Sequence, residues 1–465
     1  HNGGILAIEI NTSTRLFMDA DNLYNLITGK ASGADSNLTY FGGSATTTTV
    51  ANDLTVLSGR FRGYNANNLL TVTGDVSVTG DLSYDGATAA MEFGSLTIES
   101  DGEYHATSGQ TKMKGNFANS GTFTNNDGKM YFEGPNSVIT GTGLIFYDLD
   151  CVDGGSGWTS FKNDFTVENE LDIQDWKGLQ LKCVDNTVTL TMGTATAQGE
   201  ITMLGAYTQI QGDNNTVNVA TITGVNSLYP AIITQSAGTT GKFFTDNKCQ
   251  LANVNVVNSF VTLGNTSTLT LTGDCEFDAV TIAANDTLDI GGQRVEFSSE
   301  FRNNGAMNST GGGLMICHSD LIQTGVAEYI HDGDVNVIAY GGIGNDYSLG
   351  AGNTPSGPWA TNLMINGDVT SNAHFGDAYG RFSPENIIVG NGTFTMANSA
   401  SFATDITVAN GGTFVPPTGN TMTCSGNFNL AGGLIGKSAL TFDGTDDYVN
   451  CGTDASLDIA NAITL

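Results

Sequence analysis

Proline is scarce in this chain, at 7 of 465 residues, and positive charge is nearly as scarce, with 16 Lys+Arg against 47 Asp+Glu and a net charge of −31. Few prolines exclude a proline-rich linker, and, although there are 61 glycines, no Gly-X-Y period makes collagen of them. A protein this acidic repels a phosphate backbone, so generic nucleic-acid binding is excluded. No apolar run approaches the ~18 residues of a membrane-spanning helix, and no heptad pattern supports a coiled coil. The seven cysteines form no CxxC pair, which excludes a zinc ribbon or a thioredoxin-type centre; buried small hydrophobes are the expectation, with one or two disulfides as the lesser reading. No H-x-x-x-H, G-x-S-x-G or P-loop motif is present, so metalloprotease, serine hydrolase and nucleotide-binding chemistry lack their usual residues.

What is present is Gly, Thr, Asn, Ser and Val, the residues of strands and tight turns. Residues Phe93–Gly134 and Phe277–His318 align without a gap over 42 positions (134 − 93 + 1) at an offset of 184 (277 − 93), with seven identities. Among them are Phe117/Phe301, Asn119/Asn303, Gly121/Gly305 and Gly128/Gly312, and apolar pairs such as Leu96/Val280, Tyr104/Leu288, Met130/Leu314 and Phe132/Ile316 accompany them. A looser third copy runs from Ile406 through Met422 and Phe428 to Leu434. The unit consists of strands of three to five residues separated by Asn, Asp or Gly turns. Three such strands fill roughly 20–25 residues, one turn of a solenoid whose inward side chains are buried only by the turns above and below.

The expected fold is therefore all-β: a parallel β-helix (β-solenoid), right-handed, over residues 51–436, after an N-terminal cap or irregular β segment at 1–50. Asn is expected to form ladders between turns and Gly to occupy corners. Roughly 15–20 turns at about 4.8 Å each would span on the order of 70–95 Å. Segments 155–250 and 320–385 keep strand character but fit the unit poorly. The competing fold is a string of antiparallel sandwiches, for which Asp101-Gly102, Asp127-Gly128 and Asn410-Gly411 would be hairpin turns.

From Ser438 the text changes to Ala439-Leu440-Thr441-Phe442-Asp443-Gly444-Thr445-Asp446-Asp447-Tyr448-Val449, followed by Ser456-Leu457 and Ile463-Thr464-Leu465. This resembles the opening strands of a laminin-G-like, concanavalin A-like jelly roll. The resemblance implies that 437–465 begins such a domain and that the chain is a piece of a longer polypeptide. The repeat text, Phe117 to Gly134 above all, is similar to β-solenoid proteins of bacterial surfaces and of tailed-phage virions. That likeness implies a structural or adhesive role: a stalk or fibre, tail fibre or appendage, extracellular or on a virion, homo-oligomeric or part of a larger assembly, with cell-surface glycans or other virion or surface proteins as partners. A secreted bacterial adhesin is one alternative, and a tailspike-like polysaccharide depolymerase is another.

Candidate sites are few. Glu168, Glu170 and Asp172 alternate in one strand and would share a face, as a calcium site, as a glycosidase carboxylate pair, or as an ordinary solvated face with Val167, Asn169 and Leu171 behind it. Asp443, Asp446 and Asp447 are the second candidate set for calcium. No catalytic residue and no other cofactor is indicated. His331-Asp332-Gly333-Asp334 and His318 read as turn residues, and Trp158, Trp176 and Trp359 as loop anchors or sugar-stacking platforms.

Overall fold

A computed structural model describes residues 3–435 and 449–450, less the segments 347–361 and 372–383 and loops of one to seven residues between strands. The described residues contain no helix and carry about 13 turns of parallel β-solenoid. The paired strands run parallel throughout; antiparallel contacts are single bridges such as Thr194–Ala197 and Asn226–Tyr229. This rules out the sandwich alternative for these residues: Asp101-Gly102 and Asp127-Gly128 are corners between strands of one turn, not hairpins. The turns number fewer than the 15–20 expected because several are long. Ser160 pairs with Gln180, 20 residues on, but Gln180 pairs with Gln211, 31 residues on.

The contacts divide the chain into two compact units, 1–258 and 259–465. In the first unit a turn has three strands, for example Gln110–Met113, Phe117–Asn119 and Thr122–Thr124. Alternation of inward and outward side chains along each strand and in-register stacking between turns produce apolar columns. One runs Leu26, Leu54, Val76, Leu96, Phe117, Ile139, Phe161, Leu181, each paired with the next and each buried. Phe146 lies within an aromatic cluster, its ring 5.4–6.5 Å from those of Phe117, Phe123, Phe132, Phe161 and Phe165. Corners demand close approach: a Cβ on Gly94 would lie 2.4 Å from the Gly74 carbonyl oxygen, and one on Gly115 would lie 2.7 Å from that of Gly94.

The second unit is built the same way, with a column Phe277, Phe297, Cys317, Ala339, Ile365, Val389, Val408. Its first strands reproduce the earlier copy, and the Phe-x-Asn-x-Gly motif acquires a physical reason. Asn119 turns inward and its Oδ1 accepts the Gly121 N–H at 3.1 Å; Asn303 does the same for Gly305 at 3.0 Å. The two copies part after Gly312. Leu314 and Ile316, the expected counterparts of Met130 and Phe132, are only half-buried, and Met315 and Cys317 point inward instead. Gly311, Gly312 and Gly313 all adopt positive φ (88°, 91° and 141°), and this three-residue corner absorbs one extra residue.

Polar groups join the turns from outside. Asn336, Asn362 and Asn386 form a ladder: Asn362 Nδ2 donates to Asn336 Oδ1 at 2.7 Å and Asn386 Nδ2 to Asn362 Oδ1 at 3.1 Å. At corners, where strand pairing lapses, carboxylates take over. Asp53, Asp164, Asp274, Asp368 and Asp405 each accept a backbone N–H from the following turn at 2.7–3.0 Å.

Of the cysteines, Cys151, Cys275 and Cys317 are buried and Cys424 half-buried, all as free thiols. Burial pushes the Cys151 thiol up to about 12, so it behaves as an apolar core residue. Val449–Asn450 pairs in parallel with Phe428–Asn429; the rest of the expected jelly-roll segment, 437–448 and 451–465, lies outside the described residues.

Replacing Phe146 by Ala should cost about 3–5 kcal/mol, read as a lower denaturant midpoint for the first unit. Asn119→Ala, which removes the side-chain acceptor of the half-buried Gly121 N–H, should cost about 1 kcal/mol by the same measurement.

Candidate functional site

The richest constellation of ionisable groups among the sequence candidates arises from stacking. Strands Lys129–Phe132, Leu144–Cys151, Phe165–Ile173 and Glu200–Met203 lie side by side in register. Met130, Leu149, Leu171 and Ile201 form their inward row. Two outward rows flank it: Lys129, Asp148, Glu170, Glu200, and Tyr131, Asp150, Asp172, Thr202.

Lys129 is the cation among the carboxylates of this face. Its Nζ lies 3.0 Å from Asp150 Oδ1, 3.4 Å from Glu170 Oε2 and 3.7 Å from Asp172 Oδ2. The Asp150 side chain is only 5% exposed. Burial pushes its carboxyl up to about 6 even though the Lys129 ammonium acts against the shift. Asp172 is raised as well, first by burial and then by the negative charge of Glu170. Burial alone would lower Lys129, but Asp150, Asp172 and Glu170 together outweigh it and raise the ammonium. Tyr131 is flanked by two cations, Lys112 and Lys129 Nζ each 5.9 Å from its ring centroid. Lys112 pairs with Glu133 at 3.1 Å, and Lys114 pairs with Glu92.

This geometry revises the expected face. Glu170 and Asp172 do share one, but the pairing shifts by a residue between Phe146 and Asp148, a β-bulge on the 165–173 strand. Asn169 is thrown out to solvent instead of facing the core, and its Nδ2 donates to Asp148 Oδ1 at 2.7 Å. Glu168 lies beyond the bulge and accepts from Asn125 Nδ2 at 3.3 Å. The bulge thus sets Glu168 apart from the Lys129 cluster. As a calcium site the remaining group fits poorly: calcium needs 6–8 oxygens, and the Lys129 ammonium already sits among the carboxylates that a cation would use. Lys129 and Asp150 were invisible as partners in the sequence, being 41 and 20 residues from Glu170 and 22 from Asp172 respectively (170 − 129, 170 − 150, 172 − 150).

The other candidates separate. Asp443, Asp446, Asp447, Trp176 and Trp359 lie outside the described residues, as do Asp332, Gly333 and Asp334 and the side chain of His331. The Trp158 ring lies flat over Gly178 of the next turn, where a Cβ would meet it at 2.3 Å, so it acts as an anchor. His318 stacks on Tyr340 at 5.0 Å and meets Glu296 at 2.5 Å. A group that sequence reading missed is Asp81, Glu103 and His105, one ligand atom of each lying within 4.8 Å of the others. Among the described residues no helix is long and apolar enough to cross a membrane. Comparison with protein-family models, with curated proteins and with solved structures finds no match for the chain.

Because the folded-state pKa of Asp150 lies above its ordinary value of 3.8, the native chain binds this proton more tightly than the unfolded chain. Its stabilising contribution is whole below pH 3.8 and is lost as pH rises through about 6. Denaturant midpoints of the wild type should therefore fall across that window relative to Asp150→Asn, in which the slope flattens.

Proposed function

We propose that the protein is a structural and adhesive component: a stiff, right-handed β-solenoid that serves as a stalk or fibre and leads into a jelly-roll domain beginning near residue 437. The observation that carries this reading is the continuity of the apolar columns, in which one inward residue per turn rests on its counterpart in the next. A repeat body of this kind depends on nearest-neighbour stacking and gains stiffness and reach from it. The ionisable groups of the Lys129 face satisfy one another across turns, which suits a load-bearing surface.

A tailed-phage tail fibre or appendage is the favoured setting, extracellular or on the virion, with a secreted bacterial adhesin as the nearest alternative. The partners are cell-surface glycans or neighbouring virion or surface proteins, and the protein works as a homo-oligomer or within a larger assembly. The support for this setting is the likeness of residues 117–134 and 439–465 to such proteins. Asp443, Asp446 and Asp447 would then help hold calcium in that domain.

Incubation with bacterial capsular and algal polysaccharides separates the readings. Saturable binding without new reducing ends or unsaturated sugars is the expected outcome. Steady turnover that disappears in Glu168→Gln would make the protein a depolymerase instead.

A further inference from the structure

On a different sheet of the first unit, strand Asp81–Ser83 pairs in parallel with Glu103–His105: Asp81 with Glu103, Leu82 with Tyr104, Ser83 with His105. Leu82 and Tyr104 are fully buried, so their neighbours Asp81, Glu103 and His105 take the outer face. Two carboxylates and an imidazole therefore meet at one spot, contributed by two successive turns. Their ligand atoms lie within 4.8 Å of one another, and His105 Nε2 is 3.5 Å from Glu103 Oε2. Ligands of a tetrahedral zinc ion, at about 2.0–2.1 Å from the metal, stand roughly 3.4 Å apart. The imidazole–carboxylate edge already has that spacing.

A second observation points to a missing ligand. Arg60 Nε grips Asp81 Oδ2 from the preceding turn. The other oxygen, Oδ1, is shut off from solvent and has no hydrogen-bond partner. A desolvated carboxylate oxygen without a partner is costly, and a metal ion would satisfy it, with Arg60 orienting the carboxylate as outer partners of metal ligands do.

Donor chemistry selects the ion. One imidazole and two carboxylates suit zinc and its neighbours, while calcium requires more oxygens than this corner offers. The Arg60 cation beside Asp81 further disfavours a loosely held hard ion. We propose that Asp81, Glu103 and His105 bind one Zn2+ across two successive turns, with water completing the coordination, as a clip between neighbouring turns. The proposal is independent of the adhesive reading.

The test uses the whole chain, stripped with a chelator and titrated with Co2+ and then Zn2+ in a large excess of Ca2+ that occupies the acidic surface. Expected are one equivalent of Co2+ with the visible absorption of a four- or five-coordinate site, its displacement by Zn2+, and a zinc-dependent rise in melting temperature. His105→Ala and Glu103→Gln, both surface changes checked for folding by circular dichroism, should lose the absorption and weaken Zn2+ binding by more than about tenfold. Asp172→Asn, in the Lys129 cluster, should change neither. Absence of saturable binding in the wild type, or binding unaltered in both His105→Ala and Glu103→Gln, would overturn the site.

Discussion

In-register stacking of one turn on the next is the constraint on which the rest of the structure depends. A single turn of three short strands has too little interior to bury Leu96 or Phe117; each is covered only because Val76 lies before it and Ile139 after it. The same register fixes everything outside. Once Leu149 sits on Leu171, Asp150 must sit beside Asp172 and Asp148 beside Glu170, whatever the electrostatic cost. Like charges are brought together by the core, and Lys129 relieves what the core imposes. Residue identity on the outer face is thus partly a response to geometry set within.

The strong acidity has a structural component under this view. Five aspartates bond a backbone N–H of the following turn at corners, where the strand ladder is interrupted and an N–H would otherwise lack a partner. A short acceptor that reaches across about 4.8 Å is what such a corner needs, and Asp or Asn supplies it. Asn116 fills the same role for Val138, while Asn163 reaches back and accepts the Gly141 N–H of the turn before it. The remaining carboxylates keep a strand-rich surface charged, which discourages edge-to-edge pairing.

Much of the fold was legible because stacking writes itself into the sequence as alternation and as repetition. The Phe-x-Asn-x-Gly pattern and the corner glycines were readable for that reason; asparagine ladders were expected in kind, but Asn336 and Asn362 lie in the 320–385 stretch that fits the unit poorly. The departure after Gly312 was not: an extra residue in a glycine corner leaves the apolar alternation intact and moves it by one, so Leu314 and Met315 look equally eligible for the core until the strands are paired. The bulge at Asn169 hid in the same way within Glu168-Asn169-Glu170. Site residues were harder still. Glu170 and Asp172 were visible as neighbours in sequence, but Lys129 and Asp150 join them only through turn length. His105 joins Asp81 through a strand pairing that no local spacing announces.

Nitroxide labels on the outward residues Ser77, Thr97 and Ala118, taken in pairs, test the stacking most directly. Ser77 pairs with Thr97 and Thr97 with Ala118 on consecutive turns. Parallel stacking predicts strong dipolar broadening of the electron paramagnetic resonance spectrum for 77/97 and for 97/118, and weaker broadening for 77/118, two strand spacings apart. Broadening that is absent from either adjacent pair, or strongest between 77 and 118, would contradict parallel stacking and remove the basis for the columns, the ladders and the Lys129 face.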